Sequence, residues 1–165
     1  MAIQTTRSSM SMFNSLFNRS DESKRAKIEK IYQDQRNGFP GIQEITPEKL
    51  KEIRSTENVT IVDTRTPEEQ EVSMLPEAIT AEQFQAHPEQ FRGTKVVAYC
   101  TIGVRSGMFV KSLGQGEWDA YNLMGAILGW THVDGELTSS EGPTMNVHIH
   151  GPGMNLVAEG YKPVW

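Results

Sequence analysis

The sequence predicts an α/β fold, a central parallel sheet with helices on both faces. Two observations carry this. Short branched runs (Val59-Thr60-Ile61-Val62, Val96-Val97-Ala98-Tyr99) alternate with segments of helical pattern. Val96 to Tyr99 also lacks the polar alternation of a half-exposed strand, as befits a strand covered on both faces. A chain of 165 residues, 37% apolar and 22% charged, can bury one sizeable core. Crossovers between its parallel strands should be right-handed.

Composition excludes several roles. The net charge of -5 argues against a nucleic-acid surface, and no apolar stretch approaches membrane-spanning length. One cysteine permits neither an internal disulfide nor a resolving cysteine within the chain. Charge is uneven: residues 1–20 hold Arg7 and Arg19 and no acid, so +2, leaving -7 for the rest. With their Ser, Thr, Met and Asn, residues 1–20 fit either an organelle transit segment or a flexible arm. Phe13, Leu16 and Phe17 are spaced to share a helix face there. The protein is accordingly expected to be soluble, cytoplasmic or, with a transit segment, mitochondrial or plastidic.

Residues 21–41 read as an N-terminal helix and linker. Asp21 or Ser23 caps a helix to Arg36, with Ile28, Ile31 and Tyr32 on one stripe. Asn37-Gly38-Phe39-Pro40-Gly41 stops it. Residues 42–131 form the main domain. Ile42 to Ile45 is a first strand, and Thr46-Pro47 opens a helix to about Arg54 with Leu50 and Ile53 inward. Val59 to Asp63 is the next strand, running into Asp63-Thr64-Arg65-Thr66-Pro67-Glu68-Glu69. Ala81 to Phe84 and Pro88 to Phe91 are short surface helical turns, with His87 in a loop between. Ala120 to Leu123 is the last parallel strand, and a short helix then ends in Trp130, a core anchor.

Residues 132–165 are an extension expected to pack back on the domain. Its apolar pegs are Val147, Ile149, Leu156, Val157, Tyr161, Val164 and Trp165. His148 and His150 flank Ile149, so on a strand both face one side. No third ligand is spaced to complete a metal site, so they read as surface or packing residues and no metal is expected.

The chain's chemistry centres on Cys100-Thr101-Ile102-Gly103-Val104-Arg105-Ser106, directly after the buried strand. Ser106 reads as the opener of the following helix and Gly114 as its end. Loop amides and a helix N-terminus direct partial positive charge at the sulfur, which should lower its pKa. Arg105 adds a permanent cation, and Gly103 can take the positive φ that curls the loop inward.

This loop resembles the active-site loop of the rhodanese family of sulfurtransferases, whose nucleophilic cysteine opens a six-position loop, here Cys100 to Arg105. Two flanking features strengthen the resemblance. Asp63-Thr64-Arg65 followed by Pro67-Glu68 is similar to the family's Asp-x-Arg strand end. Asn122-Leu123, a glycine and a helix ending in Trp130 are similar to its last strand and helix. Ser73, Met74, Leu75 and Glu77 depart from the family pattern, which has glycine where Glu77 stands. The resemblance implies about five strands. It also implies transfer of a sulfane sulfur through a persulfide on Cys100, with residues 101–106 binding substrate and no cofactor. Donors would be thiosulfate or a persulfide, and acceptors cyanide, a thiol or a protein. Asp63 and Arg65 should lie near Cys100, preferentially as an ion pair pinning the turn. The uncharged loop interior puts a thiol-bound persulfide at least level with dianionic thiosulfate. Three alternatives stay open: a non-catalytic interaction module, a redox sensor, and a phosphatase or arsenate reductase. The last would need a loop one residue longer. Oligomeric state is not legible.

Overall fold

The protein, described here from a computed structural model, has its backbone described for residues 7–165 and its side chains from Ser20 onward. The transit-or-arm reading of residues 1–20, and the shared face of Phe13, Leu16 and Phe17, rest on side chains outside the described residues. The order is α1 (Arg7–Gln35), β1 (Gln43–Ile45), α2 (Pro47–Ile53), β2 (Val59–Asp63), α3 (Pro67–Val72), β3 (Ile79–Thr80), α4 (Ala81–Ala86) and β4 (Lys95–Tyr99). It continues through α5 (Val104–Ser112), β5 (Ala120–Leu123), α6 (Ala126–Thr131), β6 (Leu137–Ser139), β7 (Gly142–Thr144), β8 (Asn146–His148) and β9 (Lys162–Val164).

The main sheet has five strands in the order β1-β5-β4-β2-β3, all parallel. β4 is central, and Val96, Val97, Ala98 and Tyr99 are all fully buried. Alternation explains the unbroken apolar run. Val97 and Tyr99 enter a core with Ile61, Leu123, Ile127 and Trp130, while Val96 and Ala98 enter another with Val62, Phe84 and Phe109. Thr46 caps α2 by accepting from Lys49 N–H, and Pro47 follows at its first position. Among the described residues no helix is long and apolar enough to cross a membrane.

Several local expectations are corrected. α1 continues N-terminal of Asp21, so neither Asp21 nor Ser23 caps it; the Asp21 carboxylate accepts from Glu159 N–H instead. α5 begins at Val104, with Gly103 (φ 113) as its N-cap, so Ser106 lies inside the first turn. A glycine in the left-handed region turns the chain three residues earlier than a serine cap would. Val104 and Arg105 thus belong to the helix. Trp165 is 67% exposed, because β9 pairs through its backbone and ends one residue before it.

After α6 the chain forms the β6–β7 hairpin and then β8, which pairs in parallel with β9. Val147, Ile149, Leu156 and Val157 are buried in the same core as Trp130. Each such side chain contributes about 1.5–3 kcal/mol relative to exposure. That burial anchors β8 beside α3 and the mouth of the Cys100 loop.

Candidate active site

Cys100 follows β4 at the C-terminal edge of the sheet, where open α/β sheets place their sites. It is 2% exposed. Gly103 N–H donates to its Sγ at 3.1 Å, and the Ser106 hydroxyl lies 3.6 Å away. The Gly103 N–H stabilises negative charge on the sulfur, as does the α5 N-terminus, while the Ser106 proton goes to Asn122 Oδ1. The loop carbonyls are held from behind: Ile127 N–H donates to Cys100 O and Leu128 N–H to Thr101 O. α6 therefore fixes the loop with its own unpaired amides.

Asn122 ties the loop to α1. Its Nδ2 donates to Gly103 O (2.9 Å) and to Tyr32 Oη (2.9 Å), and its Oδ1 accepts from Ser106 Oγ (2.7 Å). Tyr32 Oη donates in turn to Glu44. Burial and then the Glu44 contact hold the Tyr32 phenol protonated well above the usual range. Ile102 packs in the core and Val104 against it, so they offer a ligand backbone more than side chain.

Arg105, in the first turn of α5, is gripped by Glu69 of α3. Nη1 donates to Oε2 at 2.7 Å and Nη2 to Oε1 at 2.8 Å. Glu69 also accepts from Thr66 N–H (3.0 Å) and Thr101 Oγ1 (3.1 Å). Burial alone would raise its carboxyl; Arg105 and these donors outweigh burial and hold it far below the usual carboxylate range.

Asp63 and Arg65 form a separate, fully buried pair with contacts of 2.7–3.2 Å. Tyr99 Oη donates to Asp63 and accepts Leu75 N–H, while Arg65 also donates to Ser73 O. The pair is thus occupied in closing the turn between β2 and the segment after α3. Burial opposes the Arg65 charge, but its contacts with Asp63 more than compensate.

His148 and His150 project from the extension to the loop's mouth, their rings 6.0 Å apart. His150 Nε2 lies 3.3 Å from Thr101 Oγ1, 3.4 Å from Arg105 Nη2 and 3.6 Å from Glu69 Oε1. His148 Nδ1 lies 3.9 Å from Glu69 Oε1. Glu69, His148 and His150 bring ligand-type atoms within 4.8 Å of one another. Glu69 supplies the third position that local spacing lacks, yet four donors already occupy its two oxygens. A metal would have to displace Arg105 and then sit beside its charge, so the set suits hydrogen bonding better than a cation. A cavity of about 210 Å³ lined by Ile28, Tyr32, Met124 and His132 includes neither Cys100 nor Arg105.

Sequence reasoning assigned no site role to Glu69, Asn122 or Tyr32. Glu69 had a local signal: Thr66-x-x-Glu69 is the spacing of a capping box. Asn122 and Tyr32 meet the loop only through the tertiary fold, which no local pattern signals.

Comparison with known proteins places this architecture among relatives. The Rhodanese-like domain family matches residues 46–132. A protein named sulfurtransferase from Allochromatium vinosum is 33% identical over 109 residues, covering 61% of this chain and 99% of its own. A rhodanese-related protein from Thermoplasma volcanium superposes with a TM-score of 0.51 at 21% identity, covering 58% of this chain and 97% of that one. Thiosulfate sulfurtransferase from Pseudomonas aeruginosa gives 0.52 at 17% identity, over 72% of this chain and 23% of the larger one. These structures share the fold.

Proposed function

Because the chain belongs to the rhodanese-like domain family, we propose that it transfers a sulfane sulfur through a persulfide on Cys100. The thiolate attacks the outer sulfur of a donor. The donor's S–S bond breaks, and its inner sulfur leaves with the electron pair. A thiophilic acceptor then attacks the Cys100-bound sulfur and restores the thiolate. The relative named sulfurtransferase supports this reading. The observation that carries it is the buried Cys100 sulfur at the head of α5, with Gly103 N–H 3.1 Å away.

The donor we favour is a thiol-bound persulfide. Arg105 is the loop's one cation, and Glu69 neutralises it through two hydrogen bonds. A dianion such as thiosulfate would gain little there. Asp63 and Arg65 act as scaffold for the turn, and residues 101–106 as the cradle. The acceptor is a thiol of a small molecule or protein, or cyanide in the assay.

Intact mass after incubation with glutathione persulfide or thiosulfate, then cyanide, tests the reading. Gain of one sulfur atom, removed by cyanide and absent in Cys100→Ser, is expected, with faster loading from the persulfide. Arg105→Ala should weaken loading less than Cys100→Ser. No gain from either donor overturns the proposal.

A further inference from the structure

The C-terminal extension contributes an exposed titratable side chain to the mouth of the loop. His150 is 51% exposed, and its Nε2 touches Thr101 and Arg105, both on the segment that follows Cys100. This placement is built into the fold. Val147 and Ile149 are fully buried, Ile149 N–H donates to Val164 O, and strand alternation turns His148 and His150 to the opposite side. Three ionisable groups face His150: Glu69 from α3, Arg105 from α5 and His148 from β8. Glu69 and Arg105 satisfy each other, so neither is free to take a proton. Arg105 Nη2 places its two hydrogens on Glu69 Oε1 and Thr101 Oγ1, so the adjacent His150 Nε2 is not taken up by the guanidinium.

Resting on the sulfurtransferase reading, we propose that His150 is the general base that deprotonates a thiol acceptor in the second half-reaction. His150 Nε2 takes the proton from R′S–H. The resulting R′S⁻ bonds to the outer sulfur of Cys100–S–SH, and the Cys100 S–S bond breaks with its electron pair returning to the Cys100 thiolate. The product is R′S–SH, and His150 releases its proton to solvent. No oxidant or reductant is consumed. His148, whose Nδ1 is buried without a hydrogen-bond partner, flanks His150 and packs against Glu69. The physiological acceptor class is therefore an alkyl thiol, protonated at neutral pH, which needs such a base. An aryl thiol ionised at neutral pH does not.

The test separates these acceptors. Cys100 is loaded with glutathione persulfide, excess donor is removed, and discharge to glutathione or to an ionised aryl thiol is followed by intact mass. In His150→Ala, discharge to glutathione should slow by roughly tenfold to a hundredfold. Discharge to the aryl thiol should stay within about twofold, and added imidazole should restore part of the glutathione rate. Equal slowing with both acceptors, or no slowing with glutathione, would overturn the proposal. So would tight binding of one zinc ion per chain that is lost in His150→Ala, since that would assign the cluster to a metal. Failure of the wild-type chain to load any sulfur would instead overturn the sulfurtransferase reading, and it is seen before any variant is made.

Discussion

Glu69 holds Arg105 in a two-point grip, with Nη1–Oε2 at 2.7 Å and Nη2–Oε1 at 2.8 Å. The same carboxylate accepts Thr66 N–H at the start of α3. One side chain thus closes a helix end and orients the loop's cation. The alignment depends on order along the chain: the turn after β2 delivers Glu69, and the first turn of α5 delivers Arg105. Because the guanidinium is neutralised in place, the loop can favour a negative sulfur without attracting every anion in solution.

Removing the Glu69 charge should therefore be felt in stability, with a defined pH dependence. Glu69→Gln should cost about 1–2 kcal/mol at neutral pH, less than a fully buried pair because Arg105 is 36% exposed. The folded-state carboxyl lies below its unfolded value of about 4.3. Its contribution is then complete above about pH 5 and declines as pH falls below about 4 toward the folded value. Thermal melts of both proteins between pH 3 and pH 7 should show a gap that is constant above pH 5 and narrows in acid. A gap of equal size at pH 3 and pH 7 would contradict this account.

What sequence made legible, and what it did not, divides along physical lines. Val96 to Tyr99 declares a buried central strand because every side chain, on either face, is apolar. Cys100, Gly103 and Arg105 lie within one strand-to-helix turn, so their meeting is local. The Asp63–Arg65 pair is also local, and the structure adds Tyr99 and Ser73 as its partners. By contrast, β6 to β9 are three-residue strands containing Gly142, Pro143 and Pro163, too short and too irregular for a period to register. The approach of His150 to Glu69 and Arg105 depends on β8 finding β9 and on Ile149 being buried. No neighbouring residue announces either event. Ser106 misled because a serine before a helix is usually a cap, whereas here its hydroxyl is buried against Asn122.

Gly103 is where α1 and the loop meet. Its φ of 113 is strained for other residues, and an added Cβ would lie 2.6 Å from Tyr32 Cε2. Tyr32 cannot easily yield, since its hydroxyl is held by Asn122 and Glu44. Gly103→Ala should destabilise by roughly 2–4 kcal/mol and slow sulfur loading of Cys100 by about tenfold or more, because Gly103 N–H leaves the sulfur. Gly93→Ala separates the two effects. It has φ 81 and nothing within 4 Å, so it should cost only the backbone part, about 1–2 kcal/mol, with loading unchanged. Chemical denaturation and single-turnover loading measure both. A Gly103→Ala protein that loads at the wild-type rate would refute the positioning role.

Glu77 is the opposite case, a side chain where the backbone favours glycine. It is exposed, with φ 63, in the turn that Ala78 N–H closes onto Leu75 O. The left-handed conformation costs a non-glycine residue about 1–2 kcal/mol, while glycine adds about 0.5–1 kcal/mol of unfolded-state entropy. The difference favours Glu77→Gly by roughly 0.5–1 kcal/mol, a rise in Tm of about 1–4 °C for a chain of this size. The described hydrogen bonds include none from the Glu77 side chain, so no contact offsets the gain. No described hydrogen bond or ion pair joins Glu77 to the Cys100 loop, and loading of Cys100 should not change. A Tm that stays level or falls would mean that the loop draws its shape from something other than local backbone preference.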